Sequence, residues 1–158
     1  MAAWVDLSAI HDPSPGVRPP ASWGDGLVTN LEALRGTAGA AVNTSETTTS
    51  TTFTDLATVG PAVTLDTGTS AIVFIAAQVS NSGANLSFMS VAVSGASSIA
   101  AAFDNVLMYH NGTSGAHHGS FGILTGLTAG TNIFTAKYSV GGGTGTWLRR
   151  KIAVIPLF

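Results

Sequence analysis

The sequence predicts a mainly β protein: an antiparallel β-sandwich of about eight strands, jelly-roll-like, preceded by an extended N-terminal arm and one short helix. Three observations carry this expectation. From about residue 51 onward, runs rich in Val, Ile, Phe, Thr and Tyr recur between clusters of Gly, Asn, Thr and Ser, the punctuation of short strands. Several of these runs alternate apolar and polar side chains with a period of two, as sheets with one buried face require. No helical pattern interrupts the region, which disfavours a parallel sheet and leaves a sandwich or jelly roll.

The elements follow in chain order. Met1 to about Ala21 holds Pro13, Pro15, Pro19 and Pro20. Each proline lacks an N–H and pushes its predecessor toward extended backbone, so this stretch reads as an arm. Trp4, Val5, Leu7 and Ile10 sit on it as apolar anchors that need a surface, either the chain's own domain or a partner. Ser22 is a suitable N-cap for the helix that follows, and Asp25 places negative charge in its first turn. Leu27, Val28, Leu31 and Leu34 line one face, and Gly36 supplies the stop. A helix this short is not stable alone in water and must bury its leucine stripe. Residues 37–50, dominated by Thr, Ala, Gly and Ser, read as a linker and not as a packed element. The expected organisation is therefore a docking arm and helix over 1–36, a linker over 37–50 and a β-sandwich over 51–158.

Eight strands are expected in the sandwich, at 51–56, 62–66, 70–80, 85–94, 103–110, 117–124, 132–140 and 146–157. Alternation is clearest at Ser87–Ser94, at Phe134–Val140 and at Leu148–Val154, where Leu148, Ile152 and Val154 are expected opposite Arg149, Lys151 and Ala153. The run Ala71–Ala77 is apolar on both faces, so a loop or another subunit must cover its second side. A homo-oligomer follows as an expectation, a trimer favoured, with Phe74 and Ile75 at the subunit interface.

Composition narrows the function classes. Of 158 residues, 45% are apolar and only 9% charged, against about 25% charged in ordinary domains. So little charge leaves little to repel a neighbouring chain, which suits a protein packed among partners. A net charge of −2 offers no basic footprint for nucleic acid. The chain has no cysteine, so disulfides, thiolate metal sites and cysteine nucleophiles are excluded. The first ten residues lack the basic stretch of a secretory signal. The longest apolar run, Ala71–Val79, is far short of the roughly 20 residues that span a bilayer.

Candidates for chemistry are few. His110, His117 and His118 lie close in sequence, but adjacent strand residues face opposite ways, so His117 and His118 are not expected to share an ion. No Gly-x-Ser-x-Gly elbow places a nucleophile. The carboxylates Asp55, Asp66 and Asp104 fall mostly near predicted turns, where Asp is a turn former. Gly141–Gly145 lacks the Lys and the following helix of a phosphate loop and reads as a hairpin tip. Arg149, Arg150 and Lys151 form the one basic cluster, expected on a solvated edge or strand face. Tyr109 and Trp147 are the strand-region aromatics suited to a ligand surface such as a host glycan. Neither a catalytic residue, a metal site nor a cofactor is expected. A glycan-binding module is the alternative function, and a hydrolase a more distant one.

Two stretches carry a resemblance. Pro19-Pro20-Ala21-Ser22-Trp23-Gly24-Asp25, followed by Asn30-Leu31-Glu32-Ala33-Leu34, resembles the N-terminal segment of small virion proteins of tailed phages infecting actinobacteria. Leu124–Tyr138 and Arg150–Leu157 look like the closing strands of the same group. The resemblance implies a non-enzymatic structural protein of the virion surface, a minor tail protein or head decoration protein, made in the host cytoplasm. It further implies that the arm and helix dock to other virion proteins through Trp4, Leu7, Ile10, Trp23, Leu27, Leu31 and Leu34, while the sandwich projects.

Overall fold

The computed structural model describes residues 36–157, together with Asp25 and Val28, which are helical and fall inside the expected helix. The expected arm, and with it Trp4, Leu7, Ile10, Trp23, Leu27, Leu31 and Leu34, lies outside the described residues.

Period-two alternation builds the architecture. Among the described residues nine strands form: β1 (Ala38–Val42), β2 (Glu46–Thr48), β3 (Ala62–Thr67), β4 (Ser70–Asn81), β5 (Leu86–Gly95), β6 (Val106–Asn111), β7 (Ala116–Thr125), β8 (Gly130–Val140) and β9 (Gly145–Leu157). One sheet runs β1-β9-β4-β7, with β2 also on β9, and the other runs β3-β8-β5-β6. Every ladder is antiparallel.

The pairing has a simple logic. β5 pairs with β6, β4 with β7, β3 with β8, and β1 and β2 with β9. The chain is thus doubled into one long antiparallel ribbon with its tip between β5 and β6. Wrapping that ribbon drops its two middle pairs into opposite sheets, which is the jelly roll. Alternate residues then meet in one core. Ala71, Val73, Ile75, Ala77 and Val79 of β4 face Val91, Val93, Phe134, Ala136 and Tyr138 of the second sheet, with Ile152 and Val154 of β9 alongside, all buried.

Two sequence expectations are corrected here. Residues 37–50, expected as a linker, carry β1 and β2, both paired to β9. Their small side chains hide the alternation: Ala38 and Ala40 pack on the core while Gly39 and Ala41 face out. The strand expected at 51–56 does not form. Only Thr54 bridges to Tyr138, with backbone bonds of 2.9 Å in both directions. In addition, Phe103–Asn105 is a 3₁₀ turn, so β6 begins later than expected.

The basic cluster is also corrected. Between Ala76↔Lys151 and Gln78↔Leu148, β9 spends two residues, Arg149 and Arg150, against one on β4. Arg149 sits at φ +54°, a left-handed backbone that such a bulge exploits. The extra residue shifts the alternation by one, so Trp147 before it shares the inward face with Ile152 and Val154 after it, and Arg150, in step with those two, is fully buried. The shift also removes Leu148 from the inward set that contains Ile152 and Val154. The edge strand answers the bulge: β1 ends and β2 begins opposite it, with residues 43–45 between them.

Candidate functional site

The bulge brings the buried ionic groups together. The Arg150 guanidinium donates through Nη2 to Glu46 Oε2 at 2.9 Å and to Thr44 Oγ1 at 3.2 Å. Through Nη1 it reaches the carbonyls of Thr58 and Gly60, each at 3.4 Å. Its flat side lies 5.5 Å from the centre of the Tyr138 ring, a cation–π contact. Tyr138 donates its hydroxyl to the Gly60 carbonyl at 2.8 Å and meets Trp147 edge-on at 5.3 Å. Burial raises the Glu46 carboxyl, but hydrogen bonds from the Thr58 hydroxyl and N–H and from Thr44, with the Arg150 charge, outweigh it and hold it at about 2. Burial pushes the Tyr138 phenol well above its ordinary value, against the pull of Arg150. This cluster ties β2 and the 58–60 loop to β9. Every charge in it is matched by a partner inside the protein, which is the arrangement of a structural tie.

Trp147, expected on a ligand surface, is corrected by the same geometry: strict alternation would set it with the exposed Arg149 and Lys151, but the bulge turns it into the core with Ile152 and Val154, where it is fully buried. Tyr109 stays available. It is 65% exposed on the outer face of the second sheet, in register with Phe88. Phe103 lies 5.1 Å from both Phe88 and Phe53, ring to ring, so an aromatic group collects on that face. The Lys137–Asp55 ion pair, at 2.7 Å, anchors residues near 54 to β8.

The histidines separate as strand alternation requires for neighbours. His117 points outward, whereas His118 turns toward β6, and its Nε2 meets Nδ1 of His110 at 2.9 Å. That contact links the edge strands β6 and β7 of opposite sheets. Sequence spacing had suggested surface or loop histidines and missed it, because the two strands belong to different sheets. Among the described residues no group of three His, Cys, Asp or Glu side chains is placed to hold a metal ion.

The outer face of the first sheet is open and apolar. Register aligns Ile155, Ile72 and Ile123 in one row across β9, β4 and β7, and Ala153, Phe74 and Phe121 in the next, with Gly39 beyond Ala153. Phe74 and Phe121 rings stand 5.6 Å apart. The following row, Ala41, Lys151, Ala76 and Gly119, is small-sided apart from the lysine. A shallow trough of about 690 Å³ runs over these residues. Phe74 faces outward. Ile75, expected beside it at a subunit interface, is corrected: it is one step along the strand and lies in the core, 2% exposed.

No helix among the described residues is long and apolar enough to cross a membrane. What the arrangement offers chemically is surface, apolar on one sheet of the β-sandwich and aromatic on the other. No family model and no curated protein matches the chain. Among solved structures, it is similar to Eiger TNF from S. frugiperda, at 12% identity and TM-score 0.47, over 78% of this chain and 94% of that one. It is also similar to the CBM22-1 xylan-binding domain of Xyn10C from Paenibacillus barcinonensis, at 9% identity and TM-score 0.39, over 77% and 88%. A third likeness is to infectious bursal disease virus, Gx strain, at 15% identity and TM-score 0.40, over 75% and 31%.

Proposed function

We propose that this chain is a non-enzymatic structural protein of a phage virion, a minor tail or capsid decoration protein, held on the particle by residues 1–36 and projecting its jelly roll. The observation that carries this reading is the completeness of the ribbon. Strands between Ala38 and Leu157 make two sheets around one core among the described residues. On this reading Trp4, Leu7, Ile10, Trp23, Leu27, Leu31 and Leu34 meet a partner, and other virion proteins are the partners that the resemblance implies. The internal matching of Arg150, Glu46, Lys137 and Asp55 supports a structural role over a catalytic one. Deleting residues 1–36 should leave a folded β-domain that is absent from purified particles. Incorporation of the truncated protein at wild-type copy number would refute the reading.

A second reading, a host-glycan surface, is supported by Tyr109 with Phe103 and Phe88 on the outer face of the second sheet. Stacking on sugar rings would use such a platform. Glycan arrays and cell-wall pull-downs should then lose signal on Tyr109→Ala, and blank arrays with the wild-type protein would refute it.

A further inference from the structure

We infer that the outer face of the β1-β9-β4-β7 sheet is a self-association surface, occupied by a second copy of this chain. This goes beyond the virion reading and does not depend on it.

The first argument is area. Phe121 is 65% exposed, Ile123 63%, Phe74 39% and Leu157 37%. Those four side chains alone leave on the order of 400 Å² of apolar surface, the size at which an exposed patch marks an interaction site. Ile72, Ile155, Ala153, Ala41 and Gly39 continue the same surface, and Ala153, Ala41 and Gly39 among them are exposed. Four strands spaced about 4.8 Å apart make a face roughly 19 Å wide, enough to form the apolar centre of an interface of about 800 Å² per partner.

The second argument is layout. The apolar rows are bounded at one end by Ser70 and Thr125, and at the other by Gln78 and His117. Arg149 joins the latter rim, donating to Gln78 Oε1 at 3.0 Å. An apolar centre inside a polar rim is the anatomy of a protein–protein interface. Within the rows Lys151 is the single charged residue, so two copies meet with little like-charge repulsion.

The third argument is shape. The prominent side chains, Phe121 and Ile123, stand on the edge strand β7. The hollow beside them is floored by Gly39, Ala41 and Ala153 of β1 and β9, toward the opposite edge. A protrusion and a hollow on opposite sides of one face meet reciprocally when a second copy is related to the first by a two-fold axis, each copy's protrusion entering the other's hollow.

Light scattering of the full chain at tens of micromolar should return an integral multiple of 15.9 kDa. Phe121→Asp should give that mass once, with an unchanged far-ultraviolet dichroism spectrum, since a side chain 65% exposed is not needed by the isolated fold. Ile133→Asp, on the outer face of the other sheet, should keep the wild-type mass. A monomeric wild-type protein, or a Phe121→Asp variant at wild-type mass, overturns the inference. Should Phe121→Asp misfold, the chain's lack of cysteine permits a second readout with Ile123→Cys. Its thiol should react several-fold more slowly as protein concentration is raised. Reactivity independent of concentration overturns the inference, and a protected thiol in a monomer would place the chain's own first 35 residues on this face instead.

Discussion

Glu46→Gln isolates the contribution of the buried ion pair. The variant keeps the shape of the side chain but leaves the Arg150 guanidinium, with a fully buried side chain, without a counter-charge. The Glu46 carboxyl is lowered from 4.5 to about 2. At about 1.36 kcal/mol per unit, that shift corresponds to roughly 3 kcal/mol of stability, which solvent near the carboxylate trims to about 2. Losing one partner of a buried pair costs about 3–5 kcal/mol in proteins generally, so a loss near 3 kcal/mol is expected. With a urea slope of about 1.5 kcal/mol/M, the unfolding midpoint at pH 7 should drop by about 2 M. The sign with pH is fixed. A carboxyl whose folded value lies below its unfolded value stabilises above about 4.5, and that contribution fades as pH falls toward 2. The gap between wild type and Glu46→Gln should therefore be widest at pH 6–7 and reduced to roughly a quarter at pH 2.5. An equal midpoint at pH 7, or a gap that does not change with pH, would refute the reasoning.

The two aromatics first considered together as a ligand surface should now behave oppositely. Trp147→Ala empties a fully buried site and should cost about 3–5 kcal/mol, lowering Tm by roughly 10 °C in a thermal melt. Tyr109→Ala, on an exposed ring, should stay within about 0.5 kcal/mol of wild type. Gly145→Ala would press a methyl against the Trp147 ring and to within 2.6 Å of Val140 Cγ1. It should cost about 1–3 kcal/mol in denaturant titration, and a neutral result would mean that the Trp147 pocket has room to give.

Most of the sandwich was legible because large apolar residues mark its strands. β3, β4, β5, β7, β8 and β9 lie within a residue or two of the spans that alternation suggests. β4 is apolar on both faces as read, with Val73 and Ile75 inside and Ile72 and Phe74 outside. β1 was not legible, since Ala38-Gly39-Ala40-Ala41-Val42 has no contrast between its two faces, and its ladder to β9 is a long-range fact. The single-residue bulge at Arg149 had no local signal either. A one-residue slip moves every side chain beyond it to the other face, and that slip puts Trp147 on the buried side with Arg150, Ile152 and Val154 while Leu148 leaves it. Trp147 shows the complementary limit: a side chain with an apolar body and one polar tip suits a core and a ligand platform equally, and only the register of β9 decides between them. The His110–His118 contact needed both sheets in place before it existed.

The doubled ribbon has a consequence for how the protein is made. β5 and β6 can pair as soon as both have left the ribosome, but β1 has to wait for β9, at the far end of the chain. During synthesis β1 is the strand that stays longest without its hydrogen-bond partner, and unpaired edges invite pairing with the wrong chain. The small side chains of Ala38–Ala41 make β1 a poor template for such encounters. The same poverty that hides this strand from inspection protects the growing chain until the last segment arrives to cover it.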